Sequence, residues 1–184
     1  MQYLYQNFLV WHEICNTNVM KIKFHLDRVF RETEDVIFYD ISIPDSNASD
    51  LVIHKTAATS PPDDDDGNKQ FYIHYHQIDN NRVISGERTF ELINFNWNNP
   101  YHIIHLQRES GALAIPKGTF HRSVSGITGS IVINQAIRDD LFKADTEFKP
   151  ISIFDDSEYK IVYFHHHHRG VKLLLSYGLL NQRH

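Results

Sequence analysis

Three histidines stand in contexts where an imidazole could do chemistry. In Phe71-Tyr72-Ile73-His74-Tyr75-His76 the side chains alternate, as on a strand. Tyr72, His74 and His76 fall on one face, and Phe71, Ile73 and Tyr75 on the other. One side is polar and coordinating, the other apolar. Two imidazoles on the inner face of a barrel can share one small ion or ligand. The third histidine follows G-A-L-A-I-P-K-G-T-F-H, residues 111–121. Ala112–Ile115 reads as a buried strand and Pro116-Lys117-Gly118 as a tight turn, because Pro presets the backbone and Gly permits positive φ. The turn therefore sets the direction of His121.

The elements that must hold these residues are short strands. Met20, Ile22, Phe24 and Leu26 alternate with polar residues, which predicts a strand. Further strands are expected at 35–44, 51–55, 70–76, 81–85, 88–95, 101–106, 112–116 and 129–137. Glycines and prolines punctuate them at the spacing of an all-β sandwich or barrel. Residues 1–15 place Leu4, Phe8, Trp11 and Cys15 at near-helical spacing. Residues 138–148 read as a turn or short helix ended by Pro150, and 56–68 as a solvated loop carrying Asp63–Asp66. The segmentation is an extension at 1–19, a barrel at 20–156 and a C-terminal segment at 157–184. MKIKF at 20–24 reads as a natural protein start.

Composition narrows the function. The chain has 184 residues, enough for about one domain. Its net charge is −5 with histidine neutral, and its 13 histidines would carry it to +8 if all were protonated. A slightly acidic chain is a poor nucleic-acid binder. A single cysteine, Cys15, excludes a disulfide framework and any cysteine-based zinc motif. No apolar run is long enough to span a membrane and the N-terminus lacks a signal-peptide pattern. The expectation is a cytoplasmic protein that binds neither nucleic acid nor membrane.

At this point the chain resembles the cupin superfamily (RmlC-like β-barrels). Gly111, Pro116, Gly118 and His121 match its second motif, with the glycine-to-proline gap one residue shorter and Ser125 in place of a final Asn. The first motif is shorter than usual. Matched on H-x-H, it gives His74 and His76. Anchored on Gly86 without a gap, it gives Tyr72 and His74, with Asp79 in the carboxylate position. Both alignments keep His74 and His121.

The resemblance implies an all-β, single-domain cupin β-barrel or jelly roll (a double-stranded β-helix) with a few short helices. It implies a divalent transition metal (Fe, Mn, Ni, Zn or Cu) on His74, His121 and one of His76 or Asp79. The primary expectation is thus a metal-binding protein for a small molecule, in the enzymatic case a metal-dependent oxygenase or isomerase. Arg82 either anchors an anionic substrate or faces solvent. The alternative is a metal-free sugar-nucleotide epimerase or ketoisomerase, with His74 or His76 as base and Tyr72 as acid. No D-x-R-G-x-L-like stretch, common in such enzymes, lies near the N-terminus. A third reading is a non-catalytic ligand-binding cupin. The resemblance also implies a homodimer through the strands of 20–44. His102 and His105 read as structural, and His165–His168 as an exposed run that binds metals adventitiously.

Overall fold

The computed structural model describes residues 21–152, together with the backbone of two short strands at 164–167 and 170–173. The near-helical segment of 1–15, Met20, most of the C-terminal segment and His168 lie outside the described residues.

The strands in chain order are β1 (Lys23–His25), β2 (Arg28–Glu32), β3 (Ile37–Asp40), β4 (Ala48–His54), β5 (Thr59–Ser60), β6 (Gln70–Ile73), β7 (Gln77–Ile93), β8 (Tyr101–Leu106), β9 (Ala112–Ile115), β10 (Phe120–Arg138), β11 (Ile151–Ser152), β12 (Phe164–His167) and β13 (Gly170–Leu173). A 3-10 turn at Arg108–Ser110 precedes β9, and a short α-helix, α1 (Ala144–Glu147), follows β10. The main sheet runs β1-β9-β7-β10-β6-β11; β4 and β5 also pair with β10, and β8 pairs with β7. β2 and β3 form a separate hairpin, as do β12 and β13.

The sequence predicts separate strands at 81–85 and 88–95. The structure joins them into the 17-residue β7. Gly86 explains the join: its φ is +73°, and a Cβ there would collide with the carbonyl oxygen of Gly129. The two long strands bend together at this point, where their register shifts between Ser125 and Ser130. β10 likewise runs continuously from the site-bearing turn to Arg138. β2 has no counterpart among the expected strands, because all five of its residues are exposed and carry no burial pattern to read.

Alternation along these strands makes two apolar layers. Val83, Phe90, Leu92, Leu106, Leu113, Ile115 and Val132 fill the barrel. Phe71, Ile73, Ile93 and Phe120 pack on the other side of the same strands. Tyr72 lies opposite His121 across β6 and β10, and His121 lies opposite Leu92 across β10 and β7. His121 therefore shares the barrel-facing side with Leu92. The loop at 56–68 is anchored, since Asp63 pairs with Arg122 at 2.9 Å and Asp64 Oδ1 accepts the Asn68 backbone N–H at 2.7 Å.

Candidate functional site

His121 enters β10 one residue after Phe120, directly behind the Pro116-Lys117-Gly118 turn. Gly118 holds a φ of +71°. Its N–H donates to the His74 carbonyl at 2.7 Å, so the turn is tied to the strand end that carries the other imidazole. The rings of His74 and His121 are 4.7 Å apart, and both residues are buried.

Asp79 joins them from β7. Its Oδ2 lies 3.5 Å from His74 Nε2 and 3.4 Å from His121 Nε2. Its Oδ1 accepts from Gln77 Nε2 at 2.5 Å and Asn134 Nδ2 at 2.8 Å. Gln77 is held in turn by Arg138 Nε at 2.6 Å, and Arg138 by Asp50 at 2.7 Å. This chain of hydrogen bonds fixes the Asp79 carboxylate behind both imidazoles. His121 Nδ1 faces the Thr119 carbonyl at 3.1 Å. A carbonyl only accepts, so Nδ1 carries a proton, and Nε2 points toward Asp79.

His74 has a carboxylate near each ring nitrogen. Glu147, on α1 and 4% exposed, brings Oε2 to 3.8 Å from His74 Nδ1 and accepts the His76 backbone N–H at 3.1 Å. Phe148 sits edge-on to the His74 ring at 5.3 Å. Burial, and next the neighbouring His121, lower the His74 pKa to about 4. His74 is therefore neutral near pH 7 and has a free lone pair. The Tyr72 ring lies 6.3 Å from His74, nearly parallel to it, and 6.1 Å from His121.

Four of the sequence candidates thus gather: Tyr72, His74, Asp79 and His121. The arrangement matches the ungapped reading of the first motif. His76 leaves the group. β6 ends at Ile73 and the chain turns, so His76 Nδ1 meets Asp139 at 3.0 Å near the surface. Arg82 also points away. It alternates to the opposite face of β7 from Asp79 and forms an ion pair with Asp27, which Arg108 also holds at 2.8 Å. Sequence reasoning did not pick out Gln77, Asn134 and Arg138. Asn134 left a signal, as a polar residue directly after the apolar run Ile131–Ile133.

One ligand atom from each of His74, Asp79 and His121 lies within 4.8 Å of the other two, a nitrogen and oxygen donor set that fits a divalent transition metal. The same atoms also fit proton transfer, because the carboxylate orients two imidazoles whose positions are otherwise fixed by main-chain contacts.

No family model matches the chain, and neither does any curated protein. Solved structures do. A dTDP-4-dehydrorhamnose 3,5-epimerase from Bacillus anthracis, with TDP and PPi bound, matches with a TM-score of 0.54 at 15% identity over 79% of this chain and 86% of that one. The epimerase of the same name from Elizabethkingia anophelis gives 0.53 at 13% over 82% and 85%. A TDP-quinovose 3,4-ketoisomerase from Campylobacter jejuni gives 0.52 at 16% over 71% and 93%. These names correct the primary expectation of a metal-dependent oxygenase or isomerase and favour the alternative. Asp79 accepts from Gln77 and Asn134 and presents its other oxygen to both imidazoles, an arrangement that can orient an imidazole for proton transfer. Among the described residues no helix is long and apolar enough to cross a membrane. With its strand order, its two motif-borne histidines and these structural matches, the chain has the fold of the RmlC-like cupin superfamily.

Proposed function

We propose that the chain acts on a nucleotide-linked keto-sugar, as an epimerase or ketoisomerase. The observation that carries this reading is the buried His74–Asp79–His121 group with Tyr72 at its edge. Such reactions remove a proton from a carbon next to a ketone. A neutral imidazole takes that proton, and the bond's electron pair moves into the enolate. A phenol then protonates the enolate oxygen. In epimerisation a proton is delivered to the other face of the same carbon while the enol hydroxyl gives its proton back to the phenolate; in ketone migration it is delivered to the former carbonyl carbon while the neighbouring hydroxyl gives its proton to the phenolate.

His74 is the base in this scheme, since burial keeps its lone pair free at neutral pH. Asp79 orients it and stabilises the imidazolium that forms. Tyr72 is the acid. His121, with Nδ1 fixed by Thr119, presents Nε2 to the same space. A divalent metal would be held by His74, Asp79 and His121 and would polarise a ligand oxygen; the proton transfers here are carried by side chains alone.

A homodimer belongs to the same proposal. Phe24, Leu26, Val29, Phe30 and Tyr39 are exposed on the N-terminal strands and the link between them, which supports a partner covering this face.

The test is deuterium wash-in. The full chain is incubated in D2O with dTDP-4-keto-L-rhamnose, the ligand named for a Legionella pneumophila neighbour. Exchange next to the ketone, lost in His74→Asn, is the expected result. Absence of exchange with this sugar and with other dTDP-4-keto sugars overturns the proposal.

A further inference from the structure

Arg88 is the exception among the buried arginines. Arg82 has Asp27 and Arg122 has Asp63, but no carboxylate among the described residues pairs with Arg88. Only 2% of it is exposed. It extends from β7 beyond the Gly86 bend, on the barrel-facing side with Phe90 and Leu92.

Its hydrogen bonds go to hydroxyls alone. Nε donates to Ser130 Oγ at 2.8 Å and Nη1 to Ser123 Oγ at 3.4 Å. Nη2 is buried and meets no acceptor. Each serine that accepts from Arg88 keeps its own proton to give onward. The neighbours add no negative charge. His54 lies opposite Ser130 across β4 and β10, and its pKa is lowered by burial first and then by Arg88, so it is neutral. Ser125 is occupied by His54 Nδ1 at 2.9 Å and the Thr56 carbonyl at 3.1 Å. The result is a buried cluster of donors with one full positive charge and no counter-charge. A buried charge is costly unless paired.

We propose that Arg88, Ser123 and Ser130 form a binding site for a small oxyanion. The guanidinium supplies the charge and a free Nη2 donor, and the two hydroxyls supply the remaining hydrogen bonds. Burial restricts the ligand to a few atoms: inorganic phosphate, or a small carboxylate such as formate. The site uses none of the groups assigned to proton transfer, so it stands or falls apart from the keto-sugar reading.

The experiment measures the Tm of the full chain against increasing phosphate and, separately, formate, each compared with sodium chloride at equal ionic strength. A saturable rise with either anion in the wild type, absent in Arg88→Met, is expected. The anion that produces it identifies the ligand class. No saturable rise with either anion, or an equal rise in Arg88→Met, overturns the proposal. Should Arg88→Met fail to fold, the Ser123→Ala/Ser130→Ala double variant keeps the charge and removes both hydroxyls. Its apparent affinity for the oxyanion should fall at least about fivefold; unchanged affinity overturns the site.

Discussion

Glu147 Oε2 stands 3.8 Å from His74 Nδ1 and holds the His76 backbone N–H at 3.1 Å. The carboxylate of a four-residue helix thus pins the chain three residues after β6 stops, beside His74. Glu147→Gln keeps the shape and the hydrogen-bond acceptor but removes the charge behind His74. Its kcat in the exchange assay should fall by up to about 10²-fold, as expected for a loosened catalytic group. KM and the far-UV CD spectrum should stay near wild type; an unchanged kcat would remove Glu147 from the positioning role.

Tyr72 and His74 should separate in kinetics. His74→Asn should abolish exchange, with a loss of about 10²–10⁴-fold. Tyr72→Phe should lower turnover, most strongly in ketone migration, while dTDP binding is retained. Binding is checked by calorimetry with dTDP. Full activity in Tyr72→Phe would transfer the acid role to another group.

Stability should depend on pH between the ordinary histidine value and the acid range. His74 titrates near pH 4 when folded and near 6.5 when unfolded, and His54 is lowered in the same direction. Between these values the unfolded chain binds more protons than the folded one. Stability is therefore complete above about pH 6.5 and is lost as pH falls toward 4. Denaturant midpoints measured at steps from pH 7.5 to 4.5 check this. His74→Asn should flatten the slope, by about 3 kcal/mol at most over the window.

Asp27 is expected to matter for stability and not for turnover. Asp27→Asn leaves the buried Arg82 guanidinium without its carboxylate, a loss of about 3 kcal/mol or more. Urea unfolding measures it. A matching loss of kcat in folded protein would place Arg82 at the site after all.

The proposed dimer predicts that Phe30→Asp is monomeric. Light scattering of wild type and variant reads the mass directly; a monomeric wild type would end the dimer assignment.

Much of this was legible in the residues themselves. The P-K-G turn fixed His121, because a positive-φ glycine behind a proline permits few backbone paths. Asp79 emerged only through the glycine-anchored alignment, where the strand period forces it onto the Gln77 face. His76 misled, since alternation assumes that the strand continues, and β6 ends at Ile73. Arg82 misled for a related reason: period two gives its face relative to Asp79, but not which side of the sheet Asp27 would cover. The Asn134 and Arg138 contacts depend on pairing across 55 and 61 residues of chain, and no local pattern carries that information.

β7 and β10 pair from Gln77 with Arg138 at one end to Ile93 with Phe120 at the other. Asp79 and His121 sit on different members of this pair, near opposite ends of its register. The local β7–β8 hairpin therefore cannot assemble the His74–Asp79–His121 group, because its parts meet only once the β7–β10 ladder has closed. Activity in this chain should appear all at once with folding, and a folding intermediate should be chemically silent.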